Sequence, residues 1–243
     1  MIALYLLAPW MLRGSPGAAL LVPGLLAAYE KKVPRPSVFV LSAALYILAG
    51  FSTGCEEFVA FLGSLGILYV WVKEGASPIE WRPLVLLLTV ETALLALRGD
   101  FRVDRLPGAL SYLFTTILFV YSEEVFLRRY LREKIGRGPI RALLLGVLWG
   151  CYHLPFEISF FYLAAQILHG AALSALIDAV FDRAGIATAV ALHALHNALP
   201  LLFRATFTLF DHVLFFVLLL TLTLIPVTGV TDMSLKGRYH RGQ

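Results

Sequence analysis

The chain has 243 residues, of which 59% are hydrophobic and only 15% charged, against about 25% charged in a soluble domain. At a mean hydropathy of +0.80 it lacks the polar surface to cover a soluble body of this size. A soluble globular enzyme, a disordered regulator and a nucleic-acid binder are thereby excluded. The net charge of +4 and the pI near 9.1 read instead as cytoplasmic loops that orient membrane helices. Two cysteines, Cys55 and Cys151, cannot build a disulfide framework or a zinc ribbon.

The N-terminal MIALYLLAPWML is apolar from its first residue, with no basic stretch ahead, so a first membrane segment is expected and not a cleaved signal. About 20 helical residues cross a 30 Å hydrocarbon core. Apolar runs predict spans at 1–12 with 17–29, then 37–54, 57–73, 83–98, 108–128, 140–156, 158–181, 186–203 and 206–228. The first two pieces, separated by RGSPG at 13–17, are each too short to cross straight. The count is therefore eight or nine. No run shows the period-2 alternation of a barrel strand. The expected fold is all-α: one domain over 1–243, a polytopic bundle of about eight transmembrane helices with an intramembrane polar cavity.

Basic residues orient this bundle. If the 128–141 loop, with Arg128, Arg129, Arg132, Lys134, Arg137 and Arg141, is cytoplasmic, alternation places Lys31, Lys32, Arg35, Lys73, Arg82, Arg183, Lys236, Arg238 and Arg241 on the same side. Only Arg13, Arg98, Arg102, Arg105 and Arg204 fall opposite. Such a bias supports this topology. It predicts a multi-pass protein, in the plasma membrane if the source is prokaryotic, with the site expected to open to the cytoplasm.

Ionisable side chains inside spans are costly and mark function. Here they are Glu91, Glu123, Glu124, His153, His169, Asp178, His193, His196, Asp211 and His212, joined by Asn197. Glu56 and Glu57 sit at a span end and read as interfacial, as do Asp211 and His212 if the last span starts later. In SEEVFLRRYLREK at 122–134, Glu124 and Arg128 are four apart and can pair on one helix face. Glu123 then points about 100° away. A carboxylate held out of water is a stronger proton acceptor, although an interfacial charge cluster would look the same. In GVLWGCYHLPFE at 146–157, Trp149 precedes His153 by one turn; a packing histidine is the plain alternative. In ALHALHNAL at 191–199, His193 and Asn197 share a face with His196 close by. Interhelical hydrogen bonding would explain that stripe without catalysis.

Depth ties the three together. At 1.5 Å per residue, Glu123 is about 20 Å from Gly136 and His153 about 20 Å from Pro139, while His193 and Asn197 are about 12 and 18 Å from Gly185. All can meet at one level of the bundle.

The order EExxxR (Glu123, Glu124, Arg128), aromatic-xxx-His (Trp149, His153) and HxxxN (His193, Asn197), over about 108–203, resembles the CAAX-protease and bacteriocin-processing (CPBP, or ABI) family, which includes the type II CAAX prenyl endopeptidases. The second motif usually opens with Phe; here Trp149 stands there. Residues 1–107 carry no motif. The resemblance implies an intramembrane endopeptidase acting near the C-terminus of a membrane-anchored protein; in the type II CAAX branch, the three residues beyond a prenylated cysteine are removed. It implies Glu123 as the base that activates water with His153, His193 and Asn197 as the oxyanion hole, and Glu124 and Arg128 as the supporting pair. No cofactor is implied.

Other readings stand beside it. Glu123, His153 and His193 are the residue types of a His₂Glu zinc site, although no HExxH occurs. Cys151 as nucleophile would point about 160° from His153. Within the family, the substrate could be a non-prenylated peptide of the bacteriocin or sorting type. A transporter or scaffold could also use buried charges, although no inverted repeat is visible. The oligomeric state is not read from the sequence, and Glu91, His169, Asp178, His196, Asp211 and His212 receive no role.

Overall fold

Proline opens several of the helices, although Pro9 and Pro23 lie inside the first two. A computed structural model describes residues 1–12, 15–52, 55–73, 79–136, 139–153 and 160–205, with 211, 213–215, 217, 218 and 221. The N-terminal stretch forms two helices, α1 (Ile2–Met11) and α2 (Pro16–Tyr29). Then come α3 (Pro36–Ser52), α4 (Glu56–Lys73) and α5 (Trp81–Arg98). Pro16 and Pro107 occupy first-turn positions, where the missing N–H costs nothing. Glu56 and Glu57 lie in the first turn of α4, at the predicted span end.

The helix that carries the first motif is the longest continuous one. It starts as α6 (Leu106–Glu124), passes into a π-helical segment, Val125–Leu131, and finishes as α7 (Arg132–Ile135). Among the described residues Val103–Ile135 is the one helix long and apolar enough to cross a membrane by length and composition; Ile2–Met11, Pro16–Tyr29, Pro36–Gly50 and Ile140–His153 are shorter apolar helices. The expected 140–156 span appears as α8 (Pro139–His153), and residues 154–159 lie outside the described residues.

The two spans expected at 158–181 and 186–203 occupy α9 (Phe160–Ala198), which breaks at Gly185 with φ 79° and ψ −174°. That backbone is open to glycine and strained for other residues. The chain turns back there. A straight helix would separate His169 from His196 by about 40 Å, yet their ring nitrogens are 2.9 Å apart. The span expected at 206–228 falls mostly outside the described residues; 211, 213–215, 217, 218 and 221 are helical.

The all-α expectation misses one small feature. Gly99–Phe101 (β1) and Phe203–Ala205 (β2) pair antiparallel, Asp100 opposite Arg204. This short ribbon ties the end of α5 to the end of α9.

Polarity runs inside out relative to a water-soluble domain. Leu41, Leu48, Phe58, Val72, Val85 and Leu97 are exposed, while Glu91, Glu123, Glu124, Arg128, Asp178 and His193 are buried. The motif-free N-terminal helices wall the motif helices. Tyr5 stacks between Phe126 and Tyr152 at 4.7 and 4.4 Å, and the Tyr152 hydroxyl donates to the Ala19 carbonyl. A Cβ on Gly146 would sit 2.3 Å from Ala171 Cα, so α8 and α9 touch backbone to backbone. That contact is with the first arm of α9, and from it Trp149 reaches His193 on the second.

Candidate active site

Three separate segments deliver side chains to one point. Glu123 is in the last turn of α6, His153 ends α8, and His193 lies on the returning arm of α9. The predicted common depth is realised. His153 Nε2 is 3.6 Å from Glu123 Oε1, and His193 Nε2 is 3.9 Å from Glu123 Oε2. The indole N–H of Trp149 donates to Glu123 Oε2 at 3.2 Å. The Trp149 ring meets both imidazoles edge-on, with centroids 5.0 and 5.2 Å away. The sequence left Glu123 without a local partner; its partners come from other helices.

The hydrogen bonds fix which imidazole nitrogens carry protons. His153 Nδ1 lies 2.9 Å from the Trp149 carbonyl. A carbonyl only accepts, so Nδ1–H donates and Nε2 of a neutral ring turns its lone pair to Glu123. His193 Nδ1 lies 2.7 Å from Glu124 Oε1 and donates in the same way. Its Nε2 carries a hydrogen only when the ring is an imidazolium. Glu123 Oε1 and His193 Nε2 have no hydrogen-bond partner among the described residues. Both face the same pocket, together with the side chain of Asn197.

Behind this point stands the expected pair. Arg128 Nε donates to Glu124 Oε2 at 2.9 Å, with both side chains 1% exposed. Arg128 Nη2 donates to Ser174 Oγ at 2.9 Å, and Nη1 lies 3.7 Å from Asp178. Arg128, counted with the basic 128–141 loop in the sequence, is buried inside the bundle, on the π-helical segment. π-Turns recur at functional sites. Asp178 also holds Arg141 at 2.7 Å and Arg132 at 3.3 Å. This charged network lies at the end of the bundle that carries Arg132 and Arg141.

A cavity of about 1220 Å³ extends the other way, from Glu123, Trp149 and His193 to Leu97, Arg98 and Pro200. The sequence reading paired a cytoplasmic 128–141 loop with a cytoplasmic mouth. The cavity is lined along α6 from Tyr112 to Glu123, on the side of Glu123 away from that loop. Asp211, interfacial under a later span start, is instead buried and pairs with Arg98 at 2.6 Å. Glu91, His196 and His169, also without assigned roles, form a second hydrogen-bonded chain in the cavity wall. His212 lies outside the described residues.

Sequence reasoning missed the indole donor, Ser174 and the role of Asp178. Trp149 was visible as the aromatic of its motif and Asp178 as a buried charge. Nothing in the local sequence marks Ser174. Among the described residues no group of three His, Cys, Asp or Glu side chains is arranged to hold a metal ion.

Comparison with protein families agrees with the motif order. Residues 105–199 match the family model described as Rce1-like, type II CAAX prenyl endopeptidase, and that match supports the CAAX-protease and CPBP family for this chain. The matched segment contains Glu123, Glu124, Arg128, His153, His193 and Asn197. The family is membrane-embedded and its members are proteases. No curated protein matches the chain.

Proposed function

We propose that the chain is a single multi-pass membrane domain of about eight spans that hydrolyses a peptide bond near the C-terminus of a membrane-anchored, CAAX-type protein. The observation that carries this is the meeting of Glu123, His153 and His193 within 4 Å at the head of a large cavity. Water sits against Glu123 Oε1 and the His153 Nε2 lone pair. Glu123 takes one proton, and the hydroxide oxygen adds to the scissile carbonyl carbon. The carbonyl oxygen becomes an oxyanion that accepts from the Asn197 amide and from Nε2–H of His193 as imidazolium. Glu124, which stays ionised throughout, flanks that ring with the opposite charge. The C–N bond then breaks, and Glu123 returns its proton to the leaving nitrogen. No step uses a metal or a nucleophilic side chain.

Glu124 and Arg128 orient His193 from behind. The exposed apolar surface faces lipid, and the substrate enters from the bilayer. Basic residues assign the 128–141 end to the cytoplasm, so the mouth at Arg98 and Pro200 faces away from it.

The test is cleavage of a fluorogenic prenyl peptide and its non-prenylated control by the purified protein in detergent. Glu123→Gln should lower kcat by about 10²–10⁴-fold, and Asn197→Ala or His193→Ala by about 10²–10³-fold. Chelators should leave the wild type active. Activity abolished by EDTA and restored by zinc would overturn the glutamate mechanism and make Glu123, His153 and His193 metal ligands.

A further inference from the structure

The cavity wall carries a second carboxylate that the proposed hydrolysis leaves unused. Glu91 of α5 is 3% exposed and lines the same cavity as Glu123 and His193. Its Oε1 is hydrogen-bonded to His196 Nδ1, and Nε2 of that ring lies 2.9 Å from His169 Nε2. Glu91 Oε2 has no hydrogen-bond partner among the described residues. Glu123 Oε1 and His193 Nε2 share that property, and they are the atoms to which the proposed hydrolysis gives work.

Leaving a buried acceptor without a donor is costly. The bond to His196 fixes what Oε2 can do. If the proton of that bond rests on Nδ1, Glu91 is a carboxylate and both its oxygens accept. If it rests on Oε1, Oε2 is the carbonyl oxygen and still accepts. Either way the wall offers an acceptor, and whatever engages it must bring an N–H or an O–H.

An extended peptide is such a ligand, because each residue other than proline carries one backbone N–H. In a cavity whose wall includes Leu94, Leu95, Phe119 and Val120, those donors leave water beside side chains that cannot accept. At membrane depth an unsatisfied backbone N–H is costly. The place agrees. His196 follows His193 by three residues, about 4.5 Å along one helical arm, and an extended peptide advances about 3.4 Å per residue. A carboxylate anchored on His196 is therefore about one or two residues along a peptide whose scissile group is held at His193.

We infer that Glu91 Oε2 accepts a backbone N–H of the peptide substrate, close to the scissile group but distinct from it, and so fixes the register in which the chain is presented to Glu123. This rests on the peptidase reading above. His196 is a positioning residue: it holds Glu91 Oε1 and leaves Oε2 to the substrate.

The experiment measures kcat/KM for a cleavable peptide and for a set of its esters. In each ester one N–H flanking the cleaved bond is replaced by oxygen, which keeps the shape of the chain and removes the donor. One position should lose about 10-fold in the wild type, the order of one hydrogen bond to a carboxylate. Glu91→Leu and Glu91→Met keep the side chain's size and remove its acceptor oxygens. In both, the parent peptide should slow by a similar factor, and the ester at that position should be cleaved as fast as the parent. A wild type indifferent to every ester overturns the inference, leaves the peptidase standing and needs no variant to fold. Variants that slow all peptides alike and keep the wild-type penalty at that position overturn it too, because they reveal a structural role. No cleavage of the parent peptide by the wild type removes the peptidase reading itself.

Discussion

Replacing Glu124 by glutamine should destabilise the protein far more than the same change at Glu123, although the two residues are adjacent and both buried. Glu124 accepts on both oxygens: from Arg128 Nε at 2.9 Å and from His193 Nδ1 at 2.7 Å. Glutamine has one acceptor oxygen; kept on Arg128 Nε–H, it turns its NH₂ to His193 Nδ1, which accepts only if the ring moves its proton to Nε2, and the negative charge opposite Arg128 is lost in either orientation. Breaking a fully buried pair while leaving its partner in place costs about 3–5 kcal/mol. Arg128 keeps Ser174 at 2.9 Å and Asp178 at 3.7 Å, which favours the lower end of that range. At Glu123 the amide fits: its oxygen accepts from Trp149 Nε1–H, and its NH₂ faces the His153 Nε2 lone pair. That substitution should cost about 1 kcal/mol or less. In a chain of this length about 1 kcal/mol corresponds to about 2–4 °C. Thermal unfolding in detergent should therefore show Glu124→Gln about 6–15 °C below the wild type and Glu123→Gln within about 4 °C of it. Equal Tm values for the two variants would refute the division into a supporting and a reacting carboxylate.

Two further outcomes follow from the geometry. Trp149→Phe keeps the ring against both imidazoles and removes only the N–H bond to Glu123; kcat should fall by about 10-fold, the order of one hydrogen bond to a charged group, and a loss beyond about 1000-fold would make the indole N–H part of the chemistry. For orientation, cysteines at Glu133 and at Asp104, both on exposed surface, should be labelled by a membrane-impermeant reagent from opposite faces, with Glu133 on the cytoplasmic one. The reverse result would overturn the assignment from basic residues and give the cavity a cytoplasmic mouth.

The sequence by itself determined the membrane class, most helix positions and the residues of the proposed reacting group. Composition forces apolar helices into lipid, and a buried charge stands out against such a background, so Glu123, Glu124, His153, His193 and Asn197 are legible from residue type and position alone. The i, i+4 spacing also makes the Glu124–Arg128 pair legible, because a helix fixes local geometry. What local spacing does not encode was decided by tertiary structure. The π-helical segment at Val125–Leu131 and the reversal at Gly185 set which way Arg128 points and which arms lie side by side. Trp149 meets Glu123 across 26 positions, His193 meets Glu124 across 69, and Glu91 meets His196 across 105. Contacts of that separation depend on how helices pack. The cavity is decided at the same level, because residues of α2, α5, α6, α8 and both arms of α9 line it together.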